Sequence, residues 1–433
     1  MSDERLGLLI EELNAPTKER RLQSLREIKA LIDQGRVPLP ARGVDVNNHI
    51  HSIYSFSPYS PAKAVFCSWQ AGLTTTGLMD HDSISGAEEF IEAGRIIGMP
   101  TTIGAEMRIS FAGTPLEGRR LNNPDEITVA YIALHGIPHT SIGELAEFFK
   151  PIAKARGARN RAMIARINAL LAGTGVAVDY DTDVLPISMA HEGGSVTERH
   201  LLFALANKLS ARFGRGATLV AFLEQALKLP ITGKAREFLL DATNASYEYD
   251  LLNVLKGNMV EQFYIPATDE IPPVAEVARL AERLGIILAY PYLGDVAESV
   301  TGDKKAQHFE DDFLDQVFAT VRDLGFKAVT YMPSRNTPAQ LDRLRALCDQ
   351  YQFFQISGED INQPRQKFIC EAMRKPEFAN LYDAAWALIG HELSASEDAA
   401  RGLFCPAIVA EYPQLAQRIA YFKAYAQQRS PLN

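Results

Sequence analysis

The sequence predicts an α/β fold in which strand–helix units build a parallel sheet or a closed barrel, interrupted by a helical insertion and flanked by helical extensions. Three observations predict it. Short apolar strands alternate with helices over residues 43–143, the same rhythm resumes over 273–370, and the 144–272 stretch between them reads mostly as helix. At 433 residues the chain is long enough for one large barrel with additions, or for two to three units.

Residues 3–34 are helical by period. Leu22, Leu25, Ile28, Leu31 and Ile32 form one apolar stripe, Pro16 divides the segment into two helices and Gly35 is a stop signal. Strand 43–51, helix 61–72, strand 74–79, helix 83–98 and strands 101–109 and 127–134 follow. In the middle, helices are expected at 155–171, 199–211, 219–227 and 235–240. The alternation returns as helix 273–284, strand 286–290, helix 309–324, strand 327–331, helix 338–350 and strand 353–356. Residues 371–428 are again largely helical, interrupted near Cys405 and Pro406, and are expected to pack on the outside of the barrel. The resulting division is 1–42 for an N-terminal helical extension, 43–143 with 273–370 for a discontinuous barrel, 144–272 for the insertion, and 371–433 for a C-terminal helical extension.

Composition narrows the function classes. Hydrophobic residues make up 47% and charged residues 22%, the profile of a folded globular protein rather than a disordered chain. A net charge of −9 opposes broad attraction to duplex nucleic acid, which needs a basic face to displace counterions. Cys67, Cys348, Cys370 and Cys405 are scattered without Cys-x-x-Cys spacing, so neither a disulfide framework nor a thiolate zinc site is expected and a reducing compartment fits. The N-terminus lacks an apolar signal core and no segment approaches a membrane span, so a cytoplasmic protein is expected. A Gly-x-Ser-x-Gly elbow, a Walker loop and a Gly-x-Gly-x-x-Gly fingerprint after a strand are all missing, which sets aside acyl transfer and nucleotide-cofactor chemistry.

The chemistry-bearing residues gather at predicted strand ends. His49 and His51 stand two apart at the end of the first strand, so alternation puts both imidazoles on one face. Asp80-His81-Asp82 ends the second strand, Gly104-Ala105-Glu106 lies in the third, and Ser357-Gly358-Glu359-Asp360 follows the last. In a parallel barrel the strand C-termini share one rim, where imidazole and carboxylate can converge on a divalent cation. These four motifs, in this order, resemble the PHP (polymerase and histidinol phosphatase) family over roughly 43–135 and 273–362.

The resemblance implies a distorted (β/α)7 TIM-like barrel, the PHP fold, carrying up to three divalent metals, with a metal-activated water attacking phosphorus. It implies a first metal position made of His49, His51, Glu106 and Asp360, all present here. The third position keeps His81, but Phe56 or Ser57 and Asn362 stand where the family has an acid or His and a second His. The second position shares Glu106, with Thr128 nearest to one family His and Ala289-Tyr290-Pro291 in place of a late Ala-His-Pro. Tyr and Asn are poor replacements for imidazole, so one or two metals are expected, of zinc, manganese or iron type. His135 and His139 are candidates for a displaced ligand, each with a loop histidine as the plainer reading.

Thr197-Glu198-Arg199-His200 is similar to the Arg-x-His of family members that hydrolyse nucleotides, which implies Arg199 and His200 as phosphate contacts and His200 as a proton donor. Asp82 supports the rim and is included among the catalytic candidates; Arg159, with Arg161 beside it, and Arg335 after a strand are candidate anion contacts. The expected function is metal-dependent hydrolysis of a small-molecule phosphate ester or short nucleotide, without duplex nucleic acid or membrane as partner. The rival is a degenerate barrel that binds a ligand or partner without hydrolysis, and an amidohydrolase ranks below both because it does not fit Asp-His-Asp and the late Gly-x-Asp.

Overall fold

Among the described residues, 2–296 and 308–430, the computed structural model contains seven strands and fifteen α-helices. The N-terminal pair α1 (Ser2–Glu12) and α2 (Lys18–Asp33) precedes β1 (Val46–Ile50), α3 (Pro61–Gln70), β2 (Thr75–His81), α4 (Ala87–Ile97), β3 (Thr101–Ser110) and β4 (Val129–His135). Five helices follow: α5 (Ile142–Leu170), α6 (Glu198–Phe213), α7 (Ala217–Gln225), α8 (Gly233–Leu240) and α9 (Tyr247–Phe263). The second strand–helix run is α10 (Val274–Arg283), β5 (Ile287–Pro291), α11 (Leu314–Asp323), β6 (Ala328–Thr330), α12 (Pro338–Tyr351) and β7 (Phe354–Ile356), and the chain ends in α13 (Ala379–Glu397), α14 (Pro406–Glu411) and α15 (Leu415–Arg429).

Local chemistry sets these ends. Ser60 caps α3 by accepting from Lys63 N, with Pro61 opening the first turn, and Thr337 with Gln340 forms a capping box ahead of Pro338 at α12. Gly98, at φ 72°, closes α4 in a left-handed cap that a side chain would strain. β2 is buried at every position but its last, as befits a strand covered on both faces.

The strands form one curled sheet in sequence order, β1 to β7. β1–β3 and β5–β7 run parallel within their groups, while β4 is antiparallel to both β3 and β5. The outer edge of β1 meets the chain just beyond β7: His51 N donates to Ile361 O at 2.9 Å and Ile361 N to His49 O at 3.1 Å. The all-parallel expectation fails at β4 because residues 111–128 connect it to β3 without a helix, and a parallel crossover needs about a dozen residues or more, usually helical.

Two further expectations are corrected. The long helix starts at Ile142, not 155, and runs through Pro151; its first half (Leu145, Phe149, Ile152) joins the main apolar cluster and its second half (Met163, Ile164, Ile167) joins a separate one built from residues 163–263 and Phe56. The C-terminal helices do not simply coat the outside. Ala384, Ala387 and Leu388 of α13 pack with Met79, Ala133, Ile287, Ala289, Ala328, Phe354 and Ile356 from five strands. Met79 shares a strand face with His81 by the period of two, so α13 fills the inner face of the sheet. Glu392 accepts from Thr102 Oγ1 and Ile103 N, both at 2.7 Å, which places α13 at the starts of the parallel strands, opposite the end that carries His81 and Glu106. No helix among the described residues is long and apolar enough to cross a membrane.

Candidate metal centre and its cavity

β1 delivers two imidazoles to one place despite an irregular register between Asn47 and Ile50. The His49 and His51 rings lie 5.2 Å apart, and those of His51 and His81 4.8 Å. Glu106, paired with His81 in the β2–β3 ladder, stands among them: its Oε2 is 3.5 Å from His49 Nε2, and its Oε1 is 3.4 Å from His51 Nε2 and 3.0 Å from His81 Nδ1. Asp360, in the loop after β7, brings Oδ1 to 3.1 Å from His51 Nε2. Gly358 makes that approach possible, since a Cβ there would stand 2.6 Å from His49 N.

The donors fit a divalent cation. His49, His51 and Glu106 offer ligand atoms that all lie within 4.8 Å of one another. The Nε2 atoms of both histidines are buried and make no hydrogen bond, a costly state unless something accepts their lone pairs. Ligand bonds of about 2.1 Å in a tetrahedral array separate neighbouring ligand atoms by about 3.4 Å, which matches the Glu106 to His49 and His51 spacings. His51 is also held in the right tautomer. Ser55 Oγ donates to Asp80 Oδ1 at 2.6 Å, so its oxygen accepts from His51 Nδ1 at 3.2 Å and leaves Nε2 as the lone-pair nitrogen. Asp80 is fixed in turn by the backbone N of Ser52 at 2.7 Å and its hydroxyl at 2.6 Å.

Burial and charge pull against each other here. Burial lowers the His81 pKa to about 4 against the attraction of Glu106. Glu106 behaves oppositely: burial opposes its charge, yet His81, His49 and His51 hold it at about 2. Desolvation also opposes ionisation of Asp360, but the nearby His51, with His49 and Arg199, keeps it well below the usual carboxylate range.

A cavity of about 630 Å3 opens on this cluster, with residues of α6 and α9 in its wall. Asp82, Arg199 and Arg335 are among its lining residues. Arg199 Nη1 donates to Asn362 Oδ1 at 2.7 Å, and Asn362 Nδ2 donates to Asp360 Oδ1 at 2.6 Å. Asp82 takes a left-handed φ of 46° and pairs with buried Arg156, its Oδ1 lacking a hydrogen bond.

Other expected residues are placed elsewhere. His200 is a cap: its Nδ1 accepts from Thr197 N at 3.0 Å, its ring packs edge-on to Phe56 at 5.0 Å, and burial lowers its pKa to about 3. Arg159 pairs with Glu198 and Glu270 and does not reach the cavity; Arg161 pairs with Asp181 on the surface. His135 is buried on the inner face of β4, beyond the Glu106–Ala133 and Ala105–Leu134 pairs and so deeper than the cluster, and burial lowers its pKa to about 3. His139 bonds Glu392 of α13 at 2.9 Å. Thr128 takes Gly118 N on its hydroxyl in the loop before β4, whereas Tyr131 faces the His81 ring at 5.9 Å. Tyr290 is buried in the main apolar cluster, outside the cavity lining.

Sequence reasoning missed a buried ion network beside the cluster. Arg108, Arg156 and Arg159 meet Asp82, Glu198 and Glu270. Arg108 was within reach, since it lies two residues from Glu106 on the same strand face. Arg156 and Glu270 carry no local signal, because helix α5 and the segment before α10 meet only in the folded chain.

Glu310 shapes the cavity from behind, its Oε1 accepting from Leu293 N at 2.9 Å and Gly294 N at 3.3 Å. Burial raises its pKa to about 7 from an ordinary 4.5. The unfolded chain therefore releases this proton first, so the stability from Glu310 is full below about pH 4.5, falls as pH rises toward 7 and is flat above it. The span corresponds to about 3 kcal/mol. Glu310→Gln is expected to flatten the pH 5–7 slope of the unfolding free energy; an unchanged slope refutes the assignment.

No protein family and no curated protein matches the chain. Several solved structures resemble it, two of them as follows. One is a putative metal-dependent phosphoesterase from Bifidobacterium adolescentis, 19% identical, with a TM-score of 0.49 over 78% of this chain and 96% of that one. The other is an amidohydrolase from Chromobacterium violaceum, solved with bound sulfate and no metal, 16% identical, with a TM-score of 0.51 over 76% of this chain and 90% of that one. The second likeness shows a shared fold.

Proposed function

We propose that this chain is a metal-dependent hydrolase of small phosphate esters, built on a distorted (β/α)7 barrel of the PHP kind. The observation that carries the reading is the pair of buried, unbonded Nε2 atoms of His49 and His51, gathered with Glu106 and Asp360 where a cavity lined by Arg199 opens. A divalent cation held by these four residues would supply polarisation of a phosphoryl oxygen and acidification of water. The chain's own groups do the rest. Arg199 presents a guanidinium beside Asp360, suited to paired phosphate oxygens, and Arg335 offers a second cationic group on the lining. His200, committed to a helix cap, is left out of the chemistry.

The same reading divides the chain into a barrel of 43–143 and 273–370, an insertion of 144–272 that walls the cavity, and two helical extensions. A cavity of about 630 Å3 suits a small ester or short nucleotide, and the acidic chain does not suit duplex nucleic acid. Cytoplasmic residence accords with its scattered free cysteines.

A non-catalytic barrel is the lesser reading. Phe56 and Asn362 stand where family ligands would be, but each has other work: Phe56 packs in the cluster of the insertion and Asn362 joins Asp360 to Arg199. Amide hydrolysis, the activity named for one structural neighbour, draws on the same cation chemistry and is the second substrate class to screen. Elemental analysis of protein purified without chelator tests the reading: at least one metal per chain is expected, lost in Asp360→Ala. A metal-free parent after incubation with manganese or zinc sinks it.

A further inference from the structure

Asp360 differs from its partners in how it is held. Its side chain is 43% exposed, against 1% for His51, 12% for His49 and 10% for Glu106, so packing does little to fix its carboxylate. The backbone is pinned at Ile361 by two hydrogen bonds to β1. Beyond that point the chain is tied to the insertion instead. Asn362 joins Asp360 to Arg199 of α6, and Gln363 accepts from Asn253 of α9 at 2.8 Å. Arg365 forks onto Asp250 of α9 at 3.1 and 2.9 Å, reaches Asn244 at 3.0 Å and lies 4.1 Å over the Phe238 ring of α8. Gln366 folds the loop on itself by accepting from the backbone N of Asn362 and of Gln363, at 2.7 and 2.8 Å.

From this arrangement we infer that the helical insertion sets the metal affinity of the centre through loop 360–366, with Asn362 and Arg365 as positioning residues for Asp360. The inference rests on the metal-centre reading above. Its physical basis is that a ligand's outer hydrogen bonds fix its orientation and so its affinity, and here those bonds lead out of the barrel. Arg365 is well built for the task, since a bidentate, ring-stacked guanidinium restricts the loop more than a single hydrogen bond does. Displacing α9 would release Arg365 and Gln363 and loosen the Asn362 contact, leaving Asp360 held only through its neighbours Ile361, on His49 and His51, and Glu359, whose carbonyl accepts from Asn47 Nδ2 at 3.1 Å.

The test is competition of manganese or zinc between the full chain and a chromogenic chelator. Asn362→Leu, close in shape but without hydrogen bonds, is expected to raise the metal Kd by about 10- to 100-fold. Arg365→Ala and Asp250→Asn, which cut the clamp from either side without removing a ligand, are expected to raise it by about 3- to 30-fold. Arg161→Ala breaks a comparable surface pair with Asp181 that touches neither the loop nor its partners, and should lower thermal stability while leaving the Kd at the parent value. Parent-like Kd values in both Arg365→Ala and Asp250→Asn overturn the inference, whatever Asn362→Leu does. A parent that binds no metal overturns the centre itself, which is a different failure.

Discussion

Glu106→Gln is expected to empty the metal centre and to cost at least about a thousandfold in hydrolysis, on the order of 4 kcal/mol of transition-state stabilisation. The size follows from position. Glu106 lies within 3.5 Å of three imidazoles, and its charge is what keeps His49 readily protonated against burial when no cation is bound. The amide keeps the shape and one carbonyl oxygen but loses the charge that draws both the protons and the cation. Metal content by elemental analysis and turnover of a screened phosphate ester are the two readouts. Full metal content together with full activity in Glu106→Gln would place the chemistry elsewhere in the cavity.

Arg156→Met is expected to lower folding stability by about 3–5 kcal/mol, because it strands Asp82 and weakens the hold on Glu270 in a buried setting. Asp82 is 4% exposed and burial already raises its pKa despite Arg156, so without that partner the carboxylate must take up a proton or draw in water. The double variant Arg156→Met with Asp82→Asn should recover part of the loss, since the uncompensated charge is gone. Denaturant midpoints for the single and double variants decide it. A single variant within about 1 kcal/mol of the parent means that Asp82 is accommodated without Arg156, by a proton or by water.

The ion network also explains where reading the sequence stopped. His49, His51, His81 and Asp360 were legible as residues at or beside a strand end and Glu106 as one within β3, because alternation along a strand is a local property that transfers directly to a face. Arg156 and Glu270 were not, since 114 residues separate them and nothing in either neighbourhood announces the pairing. His200 failed as a predicted phosphate contact because a Thr-x-x-His turn satisfies its own helix end, a use that pattern matching does not distinguish from a ligand.

The sequence by itself determined the strand–helix alternation on either side of a helical middle, and the five ligand-type side chains, because periodicity and residue chemistry are written locally. Only the tertiary structure decided that β4 runs antiparallel, that α13 fills the inner face of the sheet, and that Asn362 and Arg365 tie the Asp360 loop to the insertion. Those outcomes depend on which surfaces find one another once apolar area is buried, and contacts between residues a hundred or more positions apart leave no periodic trace in the chain.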